Sequence, residues 1–290
     1  MPRKSRIDAP GALHHIIARG IERRPIFDDD EDRDNFLNRI RTVLQETQTA
    51  CYAWALIPNH FHLLLRTGAA SITTVMRRIL TGHALWYNRR HHRCGHLFQN
   101  RYKSVLCQED AYLLELVRYI HLNPLRAGIV PDLKTLERYP YCGHSVIMEK
   151  IANDWQDADN VLRLFGQKSG SAMRAYREFV NKGIARGRRT DLTGGGLVRS
   201  AGGWAAVKAL RDAKAFVKGD ERILGDGEFV DGVLAIADEA TRKKYALQAR
   251  GFTLPMVATR VSEVLKVEPE TVWAAGRHRQ VVQARSLFSC

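Results

Sequence analysis

Apolar and polar positions in the first 130 residues repeat in two ways, with the period of a strand and with the period of a helix. Apolar runs bounded by turn residues predict strands at 12–19, 51–57, 60–65 and 102–107. Apolar residues at helical spacing predict helices at 29–47, 71–91 and 110–122. This order of elements predicts an α+β fold of the ferredoxin-like split βαβ type, in which an antiparallel sheet carries helices on one face.

Beyond residue 130 the pattern is helical, and we predict an all-α C-terminal region. Residues 150–189 have helical spacing, residues 192–203 are glycine-rich and predict a linker, and another helix begins near Trp204. Three short helical patterns at 253–288 favour a helix-turn-helix module that reaches about residue 290. The predicted divisions are a first domain at 1–130, a helical connector with the linker at 131–203, and a helical region at 204–290.

The charge of the chain narrows the class of partner. The formal net charge is +14 at pH 7, which favours a polyanion such as nucleic acid. Residues 66–104 contain eight Lys or Arg and no Asp or Glu, a pattern typical of a surface that follows phosphates. The candidate DNA contacts in this stretch are Arg66, Arg77, Arg78, Arg89, Arg90, Arg101 and Lys103.

Several protein classes are disfavoured by composition. No run of 18 apolar residues is present, so we expect no membrane span. The basic N-terminus is not followed by an apolar stretch, so we expect no secretory signal. The five cysteines are odd in number and lack paired spacing, which argues against a disulfide framework and favours the reducing cytoplasm.

Two histidines in the third predicted strand form the sharpest local pattern. Side chains alternate between the faces of a strand, so His60 and His62 share one face and Phe61 points to the other. Two imidazoles roughly 6–7 Å apart along a strand can share one divalent metal ion. The residue pattern alone also fits a polar strand face, and both interpretations stay open at this point.

A tyrosine and an asparagine share a face of the third predicted helix. Tyr119 and Asn123 are four residues apart, one turn of helix. A tyrosine in a helix is more often a packing residue than a nucleophile, and Tyr87 and Tyr102 compete by residue type. A zinc site is disfavoured, because its candidate ligands match no standard zinc spacing. Those candidates are His91, His92, Cys94 and His96.

Four motifs in order resemble the REP-associated tyrosine transposases, a group within the HUH single-tyrosine, IS200-like superfamily. The motifs are Gly11-Ala-Leu-His-His-Ile, Pro58-Asn-His-Phe-His-Leu-Leu-Leu, Gly95-His-Leu-Phe-Gln-Asn-Arg-Tyr-Lys-Ser, and Val117-Arg-Tyr-Ile-His-Leu-Asn-Pro with Arg126-Ala-Gly. The resemblance covers residues 9–130, and the fold of that family agrees with the split βαβ order.

The resemblance implies an enzyme that cuts and rejoins single-stranded or hairpin DNA through a 5′-phosphotyrosine. His60 and His62 match its metal-binding pair, Tyr119 matches its nucleophile, and Asn123 matches the residue that completes the metal site. The metal is expected to be Mg²⁺ or Mn²⁺, and neutral nitrogen ligands do not select between them. Related transposases act as dimers with exchanged helices, whereas the REP-associated group looks monomeric, so the resemblance favours a monomer and leaves a dimer open.

Two alternatives remain beside this interpretation. One is a catalytically silent protein that binds DNA hairpins as a regulator, which the presence of all four matching residues disfavours. The other is a ferredoxin-like module that binds RNA. It would need exposed aromatic side chains on the sheet face, where this sequence places histidines.

The C-terminal residues 254–288 resemble the DnaA-type helix-turn-helix of bacterial replication initiators. The matching residues are Val257-Ala-Thr, Val264-Leu, Val272-Trp, Gly276-Arg and Val281-Val-Gln-Ala-Arg-Ser. This resemblance implies a module that holds duplex or hairpin DNA. Its candidate DNA contacts are Arg277 and Arg279.

Overall fold

The computed structural model describes residues 7–8, 11–187, 189, 192, 220–237, 254–274 and 278–288. By its contacts the chain divides into two compact units, Met1–Asp231 and Gly232–Cys290. None of the helices in the described ranges is both long and apolar enough to cross a membrane. The predicted helix start near Trp204 lies outside the described residues, as does the predicted glycine-rich linker apart from Leu192.

A five-stranded sheet organises the first unit. Its strands are β1 (Leu13–Arg19), β2 (Ala50–Ile57), β3 (His60–Arg66), β4 (Lys103–Cys107) and β5 (Ile223–Leu224). The strand order is β2-β3-β1-β4-β5, and the first four strands pair antiparallel. This is the split βαβ arrangement, so the predicted α+β class is confirmed.

Strand β5 was not predicted from the sequence. It pairs parallel with β4, within a region for which the sequence pattern predicts only helices. Two residues are too few to produce a visible alternation of apolar and polar positions. The strand exists because the exposed edge of β4 offers hydrogen-bonding groups, and such pairing is not encoded locally.

The helices of the first unit follow the predicted order. They are α1 (Asp30–Thr47), α2 (Ile72–Arg90), α3 (Glu109–His121), α4 (Asn123–Arg126), α5 (Leu133–Leu136), α6 (Gly143–Ile147), α7 (Ala158–Arg163) and α8 (Ser169–Lys182). Single 3-10 turns occupy Ile21–Arg23 and Ile184–Arg186. Residues 227–237, which include the boundary between the two units, are also helical. Ser71 caps α2 by accepting a hydrogen bond from the Thr74 N–H, which satisfies one of the donors left open at a helix start.

Each face of the sheet has its own apolar core. Helices α1 and α2 pack on the face of the sheet that carries Ile16 of β1 and Leu63 of β3. The split βαβ order predicts helices on one face of the sheet, and α1 and α2 share this face. Helix α3 and the helices of residues 133–182 cover the opposite face, which carries Leu13 and Leu64. The second face is therefore also largely covered, and the polar side chains of His15 and His62 are buried on it.

The described helices of the second unit are α9 (Leu254–Leu265), α10 (Pro269–Trp273) and α11 (Arg279–Phe288). They surround the buried side chains Ala258, Val261, Val272 and Ala284. Three short helices are what the spacing predicts for 253–288. The domain boundaries near residues 130 and 203 stay predictions.

Candidate active site

The alternation of strand β3 places its two histidines toward α3. His60 and His62 lie on the same face as Leu64, and their ring centroids are 5.2 Å apart. Phe61 points to the opposite face, where it is fully buried among the side chains of the α1 and α2 core. Local strand geometry thus delivers both imidazoles to one side of the sheet.

Helix α3 carries Tyr119 to the same place. Its apolar residues Leu116 and Ile120 are fully buried against the sheet, so the helix has a fixed rotation about its axis. The Tyr119 ring centroid lies 5.8 Å from that of His62 and 5.9 Å from that of His15 on β1. Three strands or helices that are distant in sequence therefore meet at this tyrosine.

One cavity of about 530 Å³ is lined by the predicted set of site residues. His60, His62, Tyr119 and Asn123 all contribute to its wall. The Asn123 Nδ2 donates hydrogen bonds to the backbone carbonyls of Tyr119 (3.1 Å) and Ile120 (3.3 Å). These bonds fix the side-chain amide one turn beyond the tyrosine.

The Nδ1 atom of each histidine in the pair has a hydrogen-bonding partner. His60 Nδ1 lies 2.6 Å from Asn59 Oδ1, and His62 Nδ1 lies 3.0 Å from His15 Nε2. Because Asn59 Oδ1 can only accept, the proton of His60 is on Nδ1. A free lone pair on His62 Nε2 likewise requires that Nδ1 donates to His15. His60 thus presents its Nε2 as a ligand atom, and His62 does so in the tautomer whose Nδ1 donates to His15 Nε2. Outer partners of this kind orient metal-binding histidines.

Burial keeps the pair neutral. Burial, and then the positive charge of Arg19, lower the pKa of His60 to about 4. Burial lowers the pKa of His62 well below its ordinary value, with further contributions from His15, His60 and Arg19. Neutral imidazole is the form that binds a metal ion. Two neutral imidazoles and an amide around one cavity are thus chemically suited to a divalent ion.

The family profile described as "Transposase IS200 like" matches residues 10–123. Residues 10–123 belong to the IS200-like transposase family. This stretch contains β1–β4, helices α1–α3, the histidine pair and Tyr119, and it ends at Asn123.

Two solved structures are similar to the chain that contains this transposase domain. The first is a REP-associated tyrosine transposase bound to a REP hairpin, at 17% identity and a TM-score of 0.42, covering 54% of this chain and 94% of that one. The second is a candidate transposase from Deinococcus radiodurans R1, at 18% identity and a TM-score of 0.29, covering 40% of this chain and 92% of that one. No curated protein matches the chain.

The predicted DNA contacts of the transposase domain fall into two groups. Arg66, Arg78 and Arg90 form ion pairs with the carboxylates of Glu109, Glu46 and Asp29, respectively. Others are exposed to solvent, and these are Arg77, Arg89, Arg101, Lys103 and, in the second unit, Arg279. Arg277 lies outside the described residues. Their role as DNA contacts stays a prediction.

The competing tyrosines of the transposase domain are not in the wall of this cavity. The Tyr87 hydroxyl donates to Asp28 Oδ2 at 2.8 Å, which attaches α2 to the start of α1. Burial and the neighbouring carboxylates raise the pKa of that hydroxyl above its ordinary value. Tyr102 is buried just before β4. Among the described tyrosines, Tyr119 alone lines the cavity with the histidine pair.

A second cluster of possible metal ligands lies in the transposase domain. Within the described ranges, Asp28, Asp32 and His91 have donor atoms close enough to share an ion. Arg90 already donates to Asp32 Oδ1 at 2.7 Å, and His91 Nε2 lies 3.0 Å from the same carboxylate. The Arg90 guanidinium at this distance neutralises the carboxylate in the way that a metal ion would. We therefore interpret the cluster as an ion-pair network between α1 and α2.

Sequence reasoning missed four residues of the site. Arg19, Arg126 and Arg189 line the cavity, and His15 contacts His62 behind it. The signal for His15 was available, since it shares a strand face with Arg19 by alternation and lies in the first motif of the resemblance. Arg189 could not be found in this way, because nothing local connects it with β3.

Proposed function

We propose that the chain is a metal-dependent DNA strand transferase that uses Tyr119 as its nucleophile. The main observation in its support is that the Tyr119 ring contacts His62 in a cavity that His60 and Asn123 also line. The membership of residues 10–123 in the IS200-like transposase family supports this proposal. The net charge of +14 supports DNA as the partner.

His60, His62 and Asn123 are the residues that would hold the metal ion. A bound Mg²⁺ or Mn²⁺ would supply Lewis-acid polarisation of the phosphate to be cut. His15 and Asn59 hold the two rings in the orientation that leaves one Nε2 atom on each available as a ligand.

The reaction proceeds by exchange of one ester bond for another. The Tyr119 hydroxyl loses its proton, its oxygen forms a bond to phosphorus, and the bond from phosphorus to the 3′ oxygen breaks. The 3′ oxygen takes up a proton and leaves as a hydroxyl, while the 5′ side stays attached as a phosphotyrosine. The ester bond is conserved in this intermediate, so a second 3′ hydroxyl can attack it and rejoin the strand without ATP.

The substrate we propose is single-stranded DNA next to a hairpin. The cavity is lined by helix α3 above one face of the sheet, and a single strand reaches such a site more easily than a duplex does. The helices of residues 254–288 are proposed to hold the duplex or hairpin part as a DnaA-like module, with Arg277 and Arg279 as contacts.

The test is a cleavage assay on labelled hairpin oligonucleotides from the flanks of the gene, with Mg²⁺ or Mn²⁺. We expect the wild type to form a covalent protein–DNA adduct that survives denaturation, and Tyr119→Phe to form none. Tyr112→Phe is the matched control, because Tyr112 lies on the same helix and contacts the same core but does not line the cavity. It should retain the adduct.

Two outcomes would contradict the proposal. An adduct that persists in Tyr119→Phe would assign the nucleophile to another residue. Hairpin binding without an adduct under either metal, across several flanking hairpins, would instead support a silent hairpin-binding regulator.

A further inference from the structure

The wall of the active-site cavity is not built by the transposase domain alone. Gly187 and Arg189, which follow α8, line it together with Arg126, which follows α3. All three residues lie outside the matched stretch 10–123. In the segment Gly183–Arg189, of which Arg188 lies outside the described residues, Gly187 and Arg189 thus reach the site from more than 60 residues beyond Asn123.

Close packing holds the start of this segment against α3. A Cβ atom on Gly183 would lie 2.5 Å from Arg118 Cδ and 2.9 Å from Leu122 Cδ1, so only glycine allows this approach. Arg118 is itself fixed, because it donates to the Phe179 carbonyl at 3.3 Å and its guanidinium lies 4.1 Å from the Phe179 ring centroid. The start of the segment is therefore placed by packing against α3.

One carboxylate anchors the basic end of the segment. Glu115 of α3 forms ion pairs with Arg118, with Arg186 (3.3 Å) and with Arg189 (3.2 Å). This one carboxylate therefore holds the guanidinium groups of all three arginines close to α3. Arg189 lines the cavity, whereas Arg186 does not.

Arg126 joins this segment to the nucleophile. It donates to the carbonyl of Tyr119 at 3.4 Å and to the carbonyl of Gly183 at 3.3 Å, and its guanidinium lies 5.4 Å from the Tyr119 ring centroid. Its Nε is buried without a hydrogen-bonding partner. A partly buried guanidinium with an unused donor can bind an anion, since leaving such a donor unpaired costs free energy.

The charged side chains that line the cavity also favour an anion as its ligand. Arg19, Arg126 and Arg189 are its charged lining residues in the described part of the chain, and no carboxylate lines it there. Two planar guanidinium groups that face one cavity match the oxygens of a phosphodiester.

We propose that Arg126 and Arg189 bind the phosphate that Tyr119 attacks, and that the segment Gly183–Arg189 completes the active site from outside the transposase domain. This inference rests on the proposed function. The two arginines would hold the phosphate over the Tyr119 ring. The phosphate and the tyrosine would then be held in a fixed geometry for attack and would not have to meet by diffusion.

The experiment tests whether each arginine contacts the phosphate that is cut. Adduct formation by the wild type with Mn²⁺ first maps the phosphate that is cut. Binding is then measured on the non-cutting Tyr119→Phe protein, with hairpin DNA that carries either a normal phosphate or an uncharged methylphosphonate at that position. We expect the methylphosphonate to weaken binding about tenfold when both arginines are present, and less than about twofold after Arg126→Gln or Arg189→Gln.

Arg186→Gln is the matched control. Arg186 belongs to the same basic segment and pairs with the same Glu115, but half of its side chain is exposed and it does not line the cavity. The protein with Arg186→Gln should keep the tenfold sensitivity. Arg126→Lys and Arg189→Lys, which keep the charge, should recover part of it, and thermal denaturation checks that every variant is folded.

The outcomes separate the two proposals. If the arginine variants stay as sensitive to the methylphosphonate as Arg186→Gln while the wild type forms an adduct, the phosphate assignment is overturned and the proposed function stands. Sensitivity retained by one variant removes that arginine from the assignment. A wild type that forms no adduct overturns the proposed function and the phosphate assignment with it.

Discussion

The two compact units use their buried interior differently. In the first unit a sheet is covered on both faces, and large side chains such as Trp54, Phe61 and Tyr176 are fully enclosed. In the helices of residues 254–288 the described core consists of small and medium side chains, and Met256 and Val264 are more than half exposed. A thick core can hold polar groups in fixed, dry positions, whereas a thin helical module offers mainly its surface.

The two units also differ in whether they bury histidine side chains. The first unit encloses His62 beside Tyr119, and it also encloses His121 and His144, whose Nδ1 atoms lie 2.7 and 2.8 Å from the Tyr176 hydroxyl. The described histidine of the second unit, His278, is exposed. We therefore expect chemistry and acid sensitivity in the first unit, and surface recognition of DNA in the second.

The largest expected effect comes from His62→Ala. Loss of one proposed metal ligand should lower the rate of adduct formation at least about a thousandfold, or ~4 kcal/mol in the barrier. The measurement is single-turnover adduct formation with Mn²⁺. His278→Ala, which removes an exposed histidine from the other unit, is the control and should leave the rate unchanged. Equal rates for His62→Ala and the wild type would remove His62 from the site.

The second effect is a loss of stability in acid that is confined to the first unit. Burial lowers the pKa of His14 and His83 to about 4 and that of His144 to about 3, and it lowers the pKa of His121 well below its ordinary value. Each histidine is neutral when folded and takes up a proton near pH 6.5 when unfolded. Its contribution to stability is therefore present above pH 6.5 and is lost as the pH falls toward 4.

The slope of this loss is measurable. Each of these histidines should lower the free energy of unfolding by about 1.4 kcal/mol per pH unit below 6.5. Denaturant titrations at pH 7, 6 and 5, with hydrogen exchange followed in peptides of each unit, would measure it. Stability of the first unit that does not change between pH 7 and 5 would contradict the neutral, buried state of these side chains.

The third effect compares the two cores directly. Leu64→Ala removes a fully buried side chain from the sheet and should cost about 2–5 kcal/mol in the free energy of unfolding. Val272→Ala removes two methyl groups from the thin helical core and should cost about 1–2 kcal/mol. Hydrogen exchange in peptides from each core reports both values. A larger loss from Val272→Ala than from Leu64→Ala would reverse the order that the burial implies.

The smallest effect concerns DNA recognition by the second unit. Replacing both Arg277 and Arg279 by Gln should weaken hairpin binding about tenfold and reduce the salt slope of binding by about 2, with an unchanged rate of adduct formation at saturating DNA. The control carries Arg163→Gln and Arg174→Gln, two exposed arginines of the first unit. If both double variants lose the same affinity, the positive charge acts in general and the helix-turn-helix assignment fails.

The fold was predictable where its signals are local. Strands β1–β4 and helices α1–α3 follow from hydrophobic periodicity and turn residues, and their order predicts the split βαβ class that the structure has. Helices α5–α8, which cover the second face together with α3, lie in the stretch 131–203 that the sequence predicts as a helical connector. In the structure they share the core of the sheet, because their apolar stripes cover the face that α1 and α2 leave open.

The candidate site divides in the same way. That His60 and His62 share a face follows from the two-residue period of a strand, and that Asn123 lies one turn from Tyr119 follows from the helical period. Both relations hold over a few residues, so the sequence by itself determined them. The excess of positive charge is a property of composition and was also determined there.

Only the tertiary structure decided which distant groups meet. The contact of His15 with His62 requires the β1–β3 register, and the approach of Arg126 and Arg189 requires α8 to pack on α3 through Gly183. The structure also decided that Arg66, Arg78 and Arg90 pair with carboxylates of the protein itself. These contacts join residues tens of positions apart, and they arise from burial and packing of the whole unit, which no local period records.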